Sequence, residues 1–416
     1  MKVLWVTNIL FEHHRTMVGL DSTNVTSGSW LNAAYSSSLN DPDIQLHIAT
    51  SGTNKELLQS ECKGNQFYIV PGGASRGYNI RSKDNLNNWK KVRELAQPDV
   101  VIFWGTESRF SYVAMKAMKG LPIAIYMQGV IQSIYEHYFE GIPQKYQNST
   151  LRDVIDKLNR RSIYNTFHDQ VPLEREMLCM ANAVIVENDW CEDMCKSVNP
   201  KLNIFRNNLP IRHVYRSMEW SLGSIERYSI FTNAGGYPIK GHHILFQALG
   251  HVKEIYPNFK CYIPGEKLSS FDGIKRKTGY AKMLNDLIRK YNLYENIIYT
   301  GPLSSHEMAQ YLAKCHVYVM PSVMENHSSS LIEAMMVGAP SISSLVGGTA
   351  SLVKHGYNAI LYNSLDARSL SGNIIRLFDN DDFAEKLSQN AIKIRSERKD
   401  NFGEEMNIIL KQLTRI

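Results

Sequence analysis

Hydrophobic and polar residues follow two recurring patterns along the first half of the chain. Short apolar runs of strand length occupy residues 2–7, 44–50, 66–72, 100–105, 123–129 and 183–188. Segments with helical spacing lie between several of these runs, among them 83–95 and 107–119. Alternating strands and helices predict βαβ units on a parallel sheet. We therefore expect a Rossmann-like first domain.

The second half repeats this alternation and then becomes helical. Its strand-like and helical segments alternate in the order 229–235, 241–251, 260–265, 281 onward, 297–301, 304–314 and 316–320. After residue 364 only amphipathic helical patterns follow. The run Asn207-Asn208-Leu209-Pro210 is a natural hinge. The predicted domains are 1–208 and 209–395, followed by a C-terminal helix at 396–416.

Length and hydropathy agree with a globular two-domain protein. A chain of 416 residues exceeds what one hydrophobic core usually supports. Its hydrophobic content of 44% is ordinary, and no run approaches the ~18 apolar residues of a membrane span. The apolar start is not followed by a small-residue cleavage site. We expect a cytoplasmic protein.

Charge and cysteine usage narrow the possible ligands. The net charge of +6 suits an anionic nucleotide-sugar or a membrane surface. The sequence has no dense Lys/Arg stripe with interleaved aromatic residues, so nucleic-acid binding is not predicted. The six cysteines are scattered, and only Cys191 and Cys195 lie close together, at helical spacing. Reduced thiols are therefore favoured. We expect no metal and no other cofactor.

The most informative stretch runs from Cys315 to Gly348 and reads as strand, polar loop and helix. A loop at the carboxyl end of a strand that opens a helix offers free N–H groups and the helix dipole to an anion. Two carboxylates frame this loop, Glu325 at its start and Glu333 inside the helix, with seven residues between them. Candidate phosphate-binding groups in the loop belong to Asn326, His327, Ser328, Ser329, Ser330 and Leu331.

The combination of Glu-x7-Glu after a Pro-Ser turn, Glu-Ala-Met, Gly-x-Pro and Gly-Gly resembles retaining GT-B glycosyltransferases of the family 4 type (glycosyl transferases group 1). The resemblance is strongest over about residues 229–365. It implies two Rossmann-like α/β domains facing each other across a cleft, with a last helix that returns to the first domain. It also implies that Glu325 bonds the transferred sugar and Glu333 the ribose of the nucleotide.

The resemblance extends to Lys240 in the run AGGYPIKG, where the family has a diphosphate-binding lysine before glycine. The arginine that the family carries five residues earlier is Gly235 here. Either another basic residue replaces it or the glycine-rich backbone cradles the phosphate. The strand tip at Gly265 is expected near the nucleotide base.

Candidate acceptor-side residues lie in the first half. Gly28 and Ser29 resemble the glycine-rich turn that follows the first strand in the family. Glu107 and Gln128 follow predicted strands, and the carboxyl ends of parallel strands form the ligand crevice of such sheets. Gln128 stands where the family often has a histidine, so this position cannot carry a proton.

These observations predict a retaining, metal-independent hexosyltransferase. It would move a sugar from a nucleotide diphosphate, UDP favoured over GDP, to a glycan or lipid-linked acceptor in bacterial surface polysaccharide assembly, such as capsule or lipopolysaccharide. Peripheral contact with the inner membrane face through Lys157, Arg160 and Arg161 stays open beside a solvated helix face. Two alternatives remain: a catalytically weak or silent sugar-nucleotide-binding protein, and a GT-B epimerase or phosphorylase.

Overall fold

The computed structural model describes residues 1–20, 29–38, 43–73, 77–147, 160–232, 236–266 and 279–415, without the side chains of residues 29–30 and 160–163. Its α-helices are Glu12–Met17, Ser29–Ser38, Lys83–Ala96, Arg109–Ala117, Ile131–His137, Gln144–Gln147, Arg160–Met180, Asp189–Val198, Val214–Ser217, His242–Ile255, Gly279–Lys290, Ser305–Lys314, Ser329–Val337, Ala367–Asp379, Asp381–Ala391, Ile394–Glu397 and Phe402–Leu413.

Two compact units make up the chain. The first comprises Met1–Gln132, Thr166–Pro210 and Asp400–Ile416, and the second comprises Ser133–Asn165 and Ile211–Lys399. Contacts thus group residues 133–165 with the second unit, whereas the sequence analysis placed them in a first domain ending at residue 208.

The first unit is built on an eight-stranded sheet. Its strands are β1 Lys2–Thr7, β2 Gln45–Gly52, β3 Leu58–Cys62, β4 Asn65–Pro71, β5 Val100–Trp104, β6 Ile123–Tyr126, β7 Ala183–Val186 and β8 Asn203–Arg206. The order is β3-β4-β2-β1-β5-β6-β7-β8, and all pairs are parallel except β3 with β4. This is a Rossmann-like order that reverses between β1 and β5.

Side-chain alternation along β1 distributes the first unit's core over both faces of the sheet. Leu4 and Val6 join the core on one face, and Val3 and Trp5 join the core on the other. The C-terminal helix Phe402–Leu413 packs in the second of these cores, beside the helix Ser29–Ser38. The predicted return of the last helix to the first domain is therefore confirmed.

The second unit has a six-stranded, all-parallel sheet. Its strands are β9 Glu226–Thr232, β10 Lys260–Ile263, β11 Ile297–Tyr299, β12 Cys315–Met320, β13 Ser341–Leu345 and β14 Ile360–Asn363. The order β11-β10-β9-β12-β13-β14 reverses between β9 and β12. Ligands bind such sheets outside the carboxyl ends of the strands at this reversal, which here means after Thr232 and after Met320.

Strands β3, β8, β13 and β14 were not predicted as strands. β3 reads LQSEC and its residues are only partly buried or exposed, because it is the antiparallel edge of the sheet and lacks a continuous apolar run. β8 forms the opposite edge, where the sequence suggested only the approach to a hinge. Among the described residues, no helix is both long and apolar enough to cross a membrane.

Candidate active site

The loops that follow β9 and β12 are held together at Gly241. This glycine has φ +71°, and a Cβ there would lie 1.8 Å from the carbonyl oxygen of Pro321. The Val323 N–H donates to the Ile239 carbonyl at 2.8 Å. Only a residue without a side chain permits this approach. The contact brings Lys240, in the 3-10 turn Pro238–Lys240, to the loop after β12.

Lys240 and Glu325 form an ion pair at the reversal of the second sheet. The Lys240 ammonium donates to Glu325 Oε1 at 2.6 Å, and the Ser322 hydroxyl donates to the same oxygen at 2.7 Å. The side chains are 20% and 12% exposed. Burial acts to lower the pKa of Lys240, but the charge of Glu325, with a smaller contribution from Tyr237, outweighs it and the pKa is raised. Lys240 is therefore a fixed cation at neutral pH.

A second glycine fixes Glu325 from the loop after β13. Gly347 has φ +48°, and a Cβ on it would lie 1.9 Å from the Glu325 carbonyl oxygen. The Gly348 N–H donates to that oxygen at 3.2 Å, and the Ser344 hydroxyl donates to the Ser322 carbonyl at 2.5 Å. Residues from the loops that follow β9, β12 and β13 thus meet at Glu325.

We call residues 326–330 the serine loop, and it leads into the helix Ser329–Val337 as predicted. Ser328 is the N-cap: its hydroxyl accepts from the Leu331 N–H at 3.3 Å and lies 3.1 Å from the Ser330 hydroxyl. The Ser328 hydroxyl and the Leu331 N–H are therefore already bonded to each other in the helix cap. Ser329 and Ser330 are partly exposed. They and the helix dipole remain candidates for an anion.

Asn326 and His327 lie in the same loop. Asn326 is buried, and the His327 Nε2 lies 3.3 Å from Arg398 Nη1. Gly265, at the tip of β10, donates its N–H to the Gly301 carbonyl at 2.7 Å, so the tips of β10 and β11 are joined. Gly235 lies outside the described residues.

Glu333 has a partner that the sequence analysis missed. Arg212 donates through Nη2 to Glu333 Oε1 at 2.7 Å and to the Tyr215 hydroxyl at 2.8 Å. Burial raises the pKa of Glu333, and the charge of Arg212 works in the opposite direction. In the sequence, Arg212 is a single basic residue just after the hinge, 121 positions from Glu333. Only folding brings the two together.

In the first unit, Glu107 and the segment at Gln128 lie side by side after β5 and β6. The Gly129 N–H donates to Glu107 Oε1 at 2.9 Å. Glu107 Oε2 is buried without a hydrogen-bond partner among the described residues, and a Cβ on Gly105 would lie 1.9 Å from it. Burial raises the pKa of Glu107 to about 7, and nearby Glu174 adds to this.

Two further acceptor-side predictions have no structural test. Gly28 lies outside the described residues, and of Ser29 only the backbone is described, as the first residue of the helix Ser29–Ser38. No group of at least three His, Cys, Asp or Glu side chains is placed to hold a metal ion within the described part of the chain.

Part of this site lies in a segment that matches the model of a known protein family. Residues 220–394 match the family model of glycosyl transferases group 1. The matched segment contains Lys240, the serine loop and both Glu325 and Glu333. The match to group 1 glycosyltransferases thus lies within the second unit.

Curated relatives align over limited segments. An uncharacterised glycosyltransferase of Methanocaldococcus jannaschii is 29% identical over 153 residues, which are 37% of this chain and 39% of the relative. The 2-deoxystreptamine N-acetyl-D-glucosaminyltransferase of Niallia circulans is 33% identical over 104 residues, 25% of this chain and 27% of that protein. The chain therefore spans well under half the length of each.

Solved structures resemble the whole chain at low identity. Sucrose-phosphate synthase from Thermosynechococcus elongatus superposes with a TM-score of 0.72 at 15% identity, covering 99% of this chain and 98% of the other. Anabaena HepE, solved with UDP and glucose, gives a TM-score of 0.66 at 16% identity and covers 99% of each chain. These likenesses concern the fold, and with the two sheets they confirm the predicted GT-B fold class.

Proposed function

We propose that this protein is a glycosyltransferase that moves a hexosyl group from a nucleotide-diphosphate sugar to a glycan or lipid-linked acceptor. The observation that carries the proposal is the Lys240–Glu325 pair, 2.6 Å apart at the strand-order reversal within the segment that matches group 1 glycosyltransferases. HepE, whose fold is similar, has been solved with UDP and with UDP-glucose, which favours a UDP-sugar here.

In this reaction the bond between the sugar's C1 and the diphosphate oxygen breaks, and a bond from C1 to an acceptor oxygen forms. Negative charge develops on the leaving diphosphate, so a fixed cation and N–H donors aimed at it lower the barrier. Lys240 supplies the cation, and the N-terminus of the helix Ser329–Val337 supplies the dipole. Glu325 accepts hydrogen bonds from hydroxyls of the transferred sugar.

The proposed stereochemistry is retention. The departing phosphate oxygen takes the proton of the incoming acceptor hydroxyl on the same face of the sugar, so a separate protein base is not needed. This differs from glycosidases, which use two carboxyl groups and protonate the leaving oxygen. Metal independence belongs to the same proposal, because Lys240 and the helix dipole would provide the positive potential.

The acceptor side of the proposal rests on the first unit. Glu107 and the backbone at Gln128 and Gly129 adjoin at the carboxyl ends of β5 and β6, the edge where such sheets bind ligands. We place acceptor hydroxyl recognition there. A role in bacterial surface polysaccharide assembly, with the protein in the cytoplasm at the inner membrane face, is part of the proposal.

Incubation with a panel of UDP- and GDP-sugars, with and without lipid-linked saccharide acceptors, tests the function. Nucleotide release is expected with one UDP-sugar, undiminished by EDTA, and NMR of the product should show the anomeric configuration of the donor. Lys240→Ala and Glu325→Gln should slow release on the order of 10²–10³-fold, whereas Lys314→Ala, at an exposed lysine of the same unit, should not change it. Binding without turnover would favour a silent sugar-nucleotide-binding protein, and acceptor-free rearrangement of the donor an epimerase.

A further inference from the structure

The environment of Glu333 contains a cation that the proposed reaction has not used. Arg212 bonds Glu333 Oε1 at 2.7 Å and the Tyr215 hydroxyl at 2.8 Å. Its guanidinium carbon also lies 5.0 Å from the centre of the Tyr215 ring, and Tyr215 is fully buried. The guanidinium is therefore held in one orientation by the carboxylate and the aromatic ring together.

Glu333 occupies a position that disfavours a charge. It lies in the helix Ser329–Val337 between Ile332 and Ala334, both fully buried, and is itself 7% exposed. An isolated carboxylate in such surroundings takes up a proton, because the loss of hydration disfavours the charged form. Burial does raise the pKa of Glu333, and Arg212 and Tyr215 are the groups that oppose it.

Tyr318 lies in strand β12 and interacts electrostatically with Glu333. Burial raises the pKa of Tyr318, and the charges of Glu333 and Glu325 add to this, so its phenol stays neutral. Arg212 is thus the cation that acts on Glu333 among the described residues. The side chain of Arg212 is 32% exposed, and that of Glu333 is 9% exposed.

We propose that Arg212 is a positioning residue that keeps Glu333 an oriented carboxylate, able to accept both hydroxyls of a ribose cis-diol. An ionised carboxyl group only accepts hydrogen bonds, and both ribose hydroxyls can donate to it. A protonated carboxyl group would present a donor to one of them. Arg212 and Tyr215 occupy part of the roughly four lone-pair sites of the carboxylate, and the other sites are left for the diol. The inference rests on the proposed function, because it assumes a ribonucleotide donor.

Calorimetric titration with UDP and 2′-deoxy-UDP between pH 6 and pH 9 tests this role. Wild-type protein should bind UDP more tightly than the deoxy analogue at each pH. Arg212→Met should weaken UDP binding about tenfold or more at low pH and remove the preference for UDP. The loss should shrink as the pH rises, because Glu333 then ionises without help. Arg212→Lys should keep most of the preference.

Matched variants separate positioning from folding. Arg227→Met removes an exposed arginine that pairs with Asp381 in the same unit, and it should bind as the wild type does. Arg212→Met/Glu333→Gln should bind no more weakly than Glu333→Gln alone, because the arginine acts through the carboxylate. If Arg212→Met does not fold, Arg212→Gln, which keeps a hydrogen-bond donor without the charge, takes its place.

The possible failures are distinguishable. A wild type that binds neither nucleotide overturns the proposed function and this inference with it. If the wild type binds UDP but Arg212→Met leaves the affinity, the ribose preference and the pH profile unchanged, the role of Arg212 is overturned while the proposed function stands. Equal weakening of UDP and 2′-deoxy-UDP at every pH also overturns that role, since that result indicates a general structural effect.

Discussion

The ammonium of Lys240 lies 2.6 Å from Glu325 Oε1. The residue expected to bind the donor's diphosphate therefore contacts the residue expected to bind the donor's sugar. The Ser322 hydroxyl donates to the same carboxylate oxygen at 2.7 Å. Under the proposed function, the donor's phosphates would contact Lys240 and its sugar hydroxyls would contact Glu325, through the hydrogen-bonding sites that this pair leaves unused. The pair keeps both charges compensated when no ligand is bound.

Loss of Lys240 should therefore affect both turnover and the donor site. Lys240→Ala removes the cation that faces the leaving diphosphate, and turnover should fall on the order of 10²–10³-fold. Lys240→Arg keeps the charge and should retain part of the activity. Nucleotide release under saturating donor measures both variants. Wild-type turnover in Lys240→Ala would contradict the assigned role.

The close approach at Gly241 gives a stability prediction with a matched control. Gly241 and Gly356 both have φ +71°, but a Cβ on Gly241 would meet the Pro321 carbonyl oxygen whereas one on Gly356 would meet nothing within 4 Å. Gly356→Ala should cost about 1 kcal/mol of unfolding free energy from backbone strain alone. Gly241→Ala should cost about 3 kcal/mol or more, because the loops must also separate. Urea unfolding compares the two, and equal losses would exclude the steric explanation.

The C-terminal helix should stabilise the first unit through one face only. Ile409 is 3% exposed and lies in that unit's core, whereas its neighbour Ile408 is 52% exposed. Ile409→Ala should lower the free energy of unfolding by about 2–5 kcal/mol. Ile408→Ala should change it by no more than about 0.5 kcal/mol. Denaturant titration of the two variants measures this difference, and similar losses would contradict the packing of this helix.

Glu107 should make stability depend on pH. Its folded-state pKa of about 7 lies above the ordinary value of 4.5, so the folded protein holds the proton more tightly than the unfolded chain. Stability contributed by the protonated form is present below about pH 4.5 and is lost as the pH rises through about 7. Relative to the wild type, Glu107→Gln should gain roughly 1–3 kcal/mol between pH 5 and pH 8.

Melting temperatures across this range test the prediction for Glu107. Glu94→Gln, at an exposed position of the same unit, serves as the control and should follow the wild type at every pH. If the difference in melting temperature between Glu107→Gln and the wild type does not grow with pH, ionisation of the Glu107 carboxyl group does not destabilise the protein, and the prediction is wrong. The pH dependence of acceptor affinity, measured on the same variants, would test the proposed role of Glu107 in acceptor binding.

The sequence by itself determined the fold class and half of the candidate site. Apolar runs alternating with helical segments specify a parallel sheet because buried strands must be apolar on both faces, and the loop from Glu325 to Glu333 is continuous in the chain. For the same reason the edge strands Leu58–Cys62 and Asn203–Arg206 escaped prediction, since an edge needs less apolar sequence.

Tertiary structure decided which residues from distant parts of the chain meet this loop. The Gly241–Pro321 contact brings Lys240 to Glu325, and the pairing of Arg212 with Glu333 joins residues 121 positions apart. Packing also assigned Ser328 to the helix cap and gave Glu107 its raised pKa through burial. Charge pairing and burial depend on neighbours in three dimensions, so they cannot be predicted from a local sequence pattern.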